Sequence, residues 1–187
     1  MNRREAILAG GAAGLALTGT VQAKESKSFE GVDKLVAVMR PTKGNTCSGV
    51  IEFFKEGSNV RIHAHFEGLK PNAKHAFHIH EFGDATSADG TSAGGHYNPG
   101  GHDHGRPDSS KRHAGDLGNL EADSDGAAHY ERTDEHISLA GDKNPIIGRG
   151  VIVHEGEDKF TQPTGAAGAR IGIGVIGVAN PAAAAID

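Results

Sequence analysis

Val60-Arg61-Ile62-His63-Ala64-His65-Phe66-Glu67 alternates strictly between apolar and polar side chains. Successive side chains of a strand point to opposite faces. The stretch therefore predicts a half-buried antiparallel strand, with Val60, Ile62, Ala64 and Phe66 inward and Arg61, His63, His65 and Glu67 in solvent. Residues 34–40, 48–56 and 75–81 read as further short strands, separated by turn clusters such as Pro41-Thr42-Lys43-Gly44-Asn45 and Lys70-Pro71-Asn72. Beyond residue 116 the pattern gives strands at 126–132 and 150–154, a short apolar piece at 137–140, and 170–179, where Ile171, Ile173 and Val175 share a face. Many short strands without a credible amphipathic helix argue for an all-β antiparallel sandwich or barrel.

The stretch from residue 75 to residue 116 begins H-A-F-H-I-H-E-F-G-D and ends H-D-H-G-R-P-D-S-S-K-R-H-A-G-D. The same strand rule projects His78 and His80 from one face and Phe77 and Ile79 from the other. His96, His104, His113 and Asp116 follow in a Gly-, Ser-, Ala- and Asp-rich stretch with no apolar periodicity. An irregular stretch of that length inside a domain is either functional or disordered. Coordinate bonds from several imidazoles would supply the ordering energy that an apolar core does not. Imidazole suits zinc and copper, and a carboxylate joined to histidines at a tetrahedral site points to zinc. A solvated, His-rich loop is the alternative; the order and spacing favour two adjacent ions. His63 and His65 form a second H-x-H pair, but they share the solvent face with Arg61 and Glu67 and no further ligand follows them in a pattern. They read as surface histidines.

At 187 residues, with 28 glycines, no tryptophan and a formal charge of −5, the chain is sized for one acidic domain. No basic patch suggests a nucleic acid partner. Residues 1–23 read as an export signal: Arg3 and Arg4, a mildly apolar Gly- and Ala-rich run, then Val21-Gln22-Ala23 as a small-residue cleavage site. The paired arginines suggest the twin-arginine route, although Ala6 stands where that signal usually carries Phe. The run is too short and too Gly-interrupted for a bilayer span, so no stable membrane insertion is expected once the leader is gone. Its removal takes away Arg3, Arg4 and Glu5 and moves the charge from −5 to −6. Residues 24–33 read as a polar arm, 34–180 as the domain and 181–187 as a tail. The expected location is periplasmic or extracellular.

The motifs F-H-I-H-E-F-G-D (77–84), T-S-A-G-G-H-Y-N-P (91–99), K-R-H-A-G-D-L-G-N (111–119), I-I-G-R (146–149), V-I-V-H-E (151–155) and Q-P-T-G-A-A-G-A-R (162–170) resemble the copper/zinc superoxide dismutases over about residues 34–179. The compact loop between His154 and Arg170 resembles bacterial members. The resemblance implies an immunoglobulin-like, antiparallel Greek-key sandwich or flattened barrel with long metal-binding loops. It implies one copper per subunit on His78, His80, His96 and His154, and one zinc on His96, His104, His113 and Asp116. By that likeness Asp158 ties His78 to His104, and His75 is a structural histidine near the site. Without the likeness His154 would read as an ordinary edge histidine and Asp158 as a loop acid.

The implied reaction converts superoxide to oxygen and hydrogen peroxide by alternate reduction and reoxidation of copper. His96 would be bridging ligand and proton donor in turn. Arg170 would guide the anion, with Thr164 at the channel mouth and Lys159 adding local positive charge. A homodimer is compatible with the likeness. The rival from another class is a non-catalytic exported copper- or zinc-binding buffer or carrier on the same fold; a carrier has no use for an anion-guiding arginine.

One departure stands out. Gly90 and Ile173 occupy the positions where the family usually carries an intrasubunit disulfide, next to a one-residue insertion around residues 87–89. The sole cysteine, Cys47, lies elsewhere, so no internal disulfide forms; it reads as a free thiol at a strand edge, with linkage of two subunits as the minor alternative. Losing such a link typically costs about 2–4 kcal/mol. Ile173 packing and metal binding are expected to compensate. His102 and Asp103 receive no role.

Overall fold

The computed structural model describes residues 31–141 and 143–186, and in it the alternating stretch lies within a strand whose burial alternates residue by residue from Asn59 to Phe66. Among the described residues nine strands follow one another: β1 (Lys34–Pro41), β2 (Ser48–Glu56), β3 (Asn59–Glu67), β4 (Lys74–His80), β5 (Asp116–Glu121), β6 (Ala128–Asp134), β7 (Gly150–His154), β8 (Arg170–Val175) and β9 (Gly177–Val178). No α-helix occurs among the described residues, only a single 3-10 turn at Thr91–Ala93. The strands run in the order β5-β4-β7-β8-β1-β2-β3-β6, with β9 on β1, and every neighbouring pair is antiparallel.

β1 makes the corner of a flattened barrel. Its Lys34–Met39 part pairs with β2, and Arg40 and Pro41 pair with Ile173 and Gly172 of β8. At the opposite seam the Tyr130 hydroxyl of β6 donates to the Leu117 carbonyl of β5 at 2.9 Å. The inward faces enclose Leu35, Ile51, Phe53, Ile62, Phe66, Phe77, Ile79, Val151 and Val153, all essentially inaccessible. Burying each of these side chains is worth roughly 1.5–3 kcal/mol. Phe66, Phe77 and Tyr130 meet edge to face, with centroids 5.5 and 5.2 Å apart.

The strands depart from the sequence pattern at three places. β5 was missed, because Gly118, at φ +83°, and a register irregularity between Ala76 and His78 break the period-two pattern there. The apolar piece at 137–140 is not a strand: Ile137 and Leu139 are buried, but only an isolated Ser138–Pro145 bridge forms. The stretch 170–179 is split, because Ile176 turns into the core, its N–H donating to the Arg149 carbonyl and its carbonyl accepting from the Gly148 N–H, so that the chain leaves β7 for β1.

The leader at 1–23 and residues 24–30 of the arm lie outside the described residues. Val32, assigned to the arm, packs against the core, and Lys55 donates to the Asp33 carbonyl. Cys47 is fully buried and burial pushes its thiol up to about 12. It is neither at an accessible edge nor available to a second subunit.

Candidate metal centre

β4 projects His78 and His80 to the side away from Phe77 and Ile79, and its antiparallel neighbour β7 ends at His154 beside them. The loop after β4 returns as an isolated bridge that sets His96 opposite His80. It then runs through His104 and His113 to Asp116, the first residue of β5. Two four-residue clusters result, His78–His80–His96–His154 and His96–His104–His113–Asp116, with each cluster's donor atoms within 4.8 Å of one another. His96 belongs to both.

In the second cluster, Asp116 Oδ1 lies 3.0, 2.9 and 3.1 Å from the Nδ1 atoms of His96, His104 and His113, and the Nδ1 atoms of His113 and His96 are 3.2 Å apart. Zinc bonds of about 2.0–2.1 Å at tetrahedral angles separate donors by about 3.3 Å, so this is the spacing of ligands around one ion. The other carboxylate oxygen, Oδ2, accepts from the N–H groups of Gly105 and His113, both at 3.0 Å.

In the first cluster each ring is anchored through one nitrogen and leaves the other free. His78 Nε2 donates to Asp158 Oδ2 at 2.8 Å, His80 Nδ1 to the Gly94 carbonyl at 3.0 Å and His154 Nδ1 to the Gly168 carbonyl at 3.2 Å. His78 Nδ1, His80 Nε2 and His154 Nε2 are buried and have no hydrogen-bond partner, and the one polar neighbour of His104 Nδ1 is Asp116 Oδ1 at 2.9 Å, out of line for a well-formed hydrogen bond. An unmet buried polar group costs about 1–3 kcal/mol, and several of them converge here. The donor set fits a metal ion, and imidazoles without carboxylate fit copper.

Burial drives the first cluster neutral. It holds His80 well below its ordinary range, His154 down to about 3 and His96 down to about 4, with neighbouring imidazoles adding to the effect. His104 goes the other way. Burial would lower it, but the carboxylates of Asp116 and Asp158 outweigh burial and raise it to about 9. Burial would raise Asp116 and Asp158, yet hydrogen bonds from the histidines hold both well below the usual carboxylate range.

Asp158 links the clusters, with Oδ2 on His78 Nε2 and Oδ1 2.9 Å from His104 Nε2. Asn119 fixes it, accepting from its N–H at 2.7 Å and donating to its carbonyl at 3.2 Å. His75 is buried and donates from Nδ1 to the His154 carbonyl at 2.8 Å. Arg170, at the start of β8, is partly buried and donates to the carbonyls of Gly90 and Gly94, both at 2.7 Å. Thr164 and Lys159 are exposed on the loop between β7 and β8; His102 and Asp103 are exposed.

Several supporting residues were not legible beforehand. A Cβ at Gly165 would stand 2.0 Å from Asp158 Oδ1 and 3.0 Å from His104 Nε2, so only glycine leaves room for the carboxylate bridge. Gln162 accepts from the His104 N–H and donates to its carbonyl. Arg112 is fully buried, donating to the carbonyls of His113 and Ala114 and paired with Asp134 at 2.5 Å. Its place inside K-R-H-A-G-D was the one available signal.

The sequence matches the family model described as copper/zinc superoxide dismutase (SODC) over residues 47–176. The chain belongs to the copper/zinc superoxide dismutase family. It is 50% identical over 140 residues to a Cu-Zn superoxide dismutase of Paramecium bursaria Chlorella virus 1, covering 71% of this chain and 73% of that one. An extracellular Cu-Zn superoxide dismutase of Drosophila melanogaster is 52% identical over 129 residues, 65% and 70% of the two chains. A Cu-Zn superoxide dismutase of Onchocerca volvulus is 41% identical over 155 residues, 76% and 94%. As a copper/zinc superoxide dismutase the chain acts on superoxide, with copper and zinc as cofactors.

Proposed function

We propose that His78, His80, His96 and His154 hold the copper of this dismutase and that His96, His104, His113 and Asp116 hold its zinc. The observation carrying this assignment is the orientation of His96. Its Nδ1 faces Asp116 and His113, which leaves Nε2, on the opposite side of the ring, for the other histidines. Copper, when bound, supplies the one-electron couple, and zinc supplies a fixed positive charge.

Two superoxide ions and two protons become oxygen and hydrogen peroxide, and the chain's own groups bind the anion and deliver a proton. A guanidinium has five N–H donors. Arg170 uses donors on Gly90 and Gly94, which fixes its plane, and keeps the rest for an incoming anion. Nε2 of His96 is the atom that carries a proton to the reduced anion. With Nδ1 turned to the zinc side, Nε2 is the one ring nitrogen left to take up and pass on that proton. Asp158 accepts from Nε2 of both His78 and His104, so that Nδ1 of each is bare. His75 steadies the backbone of His154. With a net charge of −5, steering has to come from a local positive region, to which Arg170 and the exposed Lys159 contribute beside Thr164.

The paired arginines of the leader and the extracellular Drosophila relative support export to the periplasm or beyond. Replacing Arg3 and Arg4 by Lys blocks export by the twin-arginine route; unaffected export would count against that route. The exposed apolar residues Val38, Phe82, Val175 and Val178 support a homodimer. The decisive test of the site is dismutation by the chain from Lys24 onward, loaded with one copper and one zinc, beside His80→Ala and Arg170→Ala. Turnover lost in the first and weakened in the second supports both assignments. Full turnover in His80→Ala would overturn the copper set.

A further inference from the structure

We infer that His65 and His129 form a third metal site, on the outer face of the barrel, for a borderline divalent transition metal ion such as zinc. The chain alone offers His63 and His65 no partner. The sheet does, because β3 and β6 pair with His65 directly opposite His129. Both side chains leave the sheet on its outer face, His65 half-buried and His129 exposed. Directly opposed residues of an antiparallel pair carry Cβ atoms about 4.5–5.5 Å apart, so the backbone ladder itself brings the two imidazoles together without ordering a loop.

The side-chain geometry is already that of a chelate. The two Nδ1 atoms lie 3.4 Å apart, with ring centroids 4.5 Å apart and planes at 68°. A tetrahedral ion held at about 2.0–2.1 Å separates its nitrogen ligands by about 3.3 Å. On the far side of the His65 ring, Nε2 lies 3.5 Å from Glu67 Oε1. A carboxylate there favours the tautomer protonated on Nε2 and leaves Nδ1 bare toward His129, the relation seen behind metal-bound histidines. His63 stands two residues away on the same face, opposite Glu131, and adds donors to the surroundings. Water fills the remaining positions of a site made by two side chains, so the ion exchanges freely.

This site is separate from the copper–zinc centre. The inward neighbours of His65 are Ala64 and Phe66, and Phe66 meets Phe77, the residue before His78, across the core. Metal at His65 and His129 therefore leaves turnover untouched.

The test is a calorimetric titration of zinc chloride into the copper- and zinc-loaded chain from Lys24 onward. One further equivalent is expected. It is lost in His65→Ala and in His129→Ala, and also in His129→Gln, which keeps a hydrogen-bonding group but no imidazole; it is retained in His102→Ala, and dismutation is unchanged in all four. A parent that takes no further equivalent, or an equivalent that survives substitution of His65 or His129, overturns the site. Retention in His129→Gln alone would equally overturn it, because the pair would then be a hydrogen bond and not a chelate.

Discussion

Arg170 donates from Nη1 to the carbonyl oxygen of Gly90 at 2.7 Å. Gly90 stands where the family usually has one half of a disulfide, and here it grips the arginine through its backbone. The second hydrogen bond of Arg170 goes to the Gly94 carbonyl, which also accepts from His80 Nδ1, so the guanidinium and a proposed copper ligand share one anchor. Lysine has a single ammonium in place of the planar fork and cannot span both carbonyls while facing an anion. Arg170→Lys keeps the positive charge but loses this anchor, so it is expected to lower kcat/KM by about 2- to 5-fold through lost orientation, less than Arg170→Ala, which loses the charge and its steering as well. Pulse-radiolysis rates of the metal-loaded variants measure this, and a lysine variant as fast as the parent would refute it.

Ile173 takes the other disulfide position and packs with Ala93 and Ile152, in a small cluster that Ala85 flanks. This apolar contact replaces a covalent tie between the loop and β8. Ile173→Ala should cost about 2–4 kcal/mol, as large-to-small core changes do, and should slow dismutation by loosening the Gly90–Gly94 segment that holds Arg170. Urea unfolding of the loaded protein reports the first effect and steady-state rates the second.

Gly165 lies at φ +78°, and an added Cβ would reach 2.0 Å from Asp158 Oδ1. Gly165→Ala must displace the carboxylate that orients His78 and His104. Zinc affinity is expected to fall about 10–100-fold, matching Asp158→Asn, since losses of that size follow removal of groups behind metal ligands. Competition with a chelator measures the affinity; unchanged zinc retention in both variants would remove Asp158 from its bridging role.

The metal-free chain should be most stable near pH 6.5. His80, His96 and His154 are held below their ordinary values, His96 at about 4 and His154 at about 3. Below about pH 6.5 the unfolded chain binds more protons at these residues than the folded one, so stability falls as the pH drops toward 4. His104 is raised to about 9. Its contribution is complete below about pH 6.5 and is lost as the pH rises through 9, so stability declines on that side as well. Denaturant midpoints across this range test the expected maximum, and a monotonic profile would contradict it.

Much of this was readable in the chain. The alternation of Val60 to Glu67 gave β3, and H-A-F-H-I-H gave two imidazoles on one face, because strand periodicity is local and survives without knowledge of any partner. β5 was not readable, because Gly118 and the irregularity opposite it erase the alternation. Gly165 and Gln162 carry no local signal; one matters for the space it leaves beside Asp158 and the other for bonds to His104, 58 residues away in the chain.

The sequence by itself determined the strand class, which side chains are available as candidate donors and, through its motifs, the family, since these depend on residue type and short-range spacing. Tertiary structure decided how those donors are held. The orientation of His96 between two clusters, the Asp158 bridge, the grip of Gly90 and Gly94 on Arg170, the burial of Cys47 and the meeting of His65 with His129 each join residues distant along the chain. Pairing register and packing bring such groups within hydrogen-bonding range, and neither is written in any one segment.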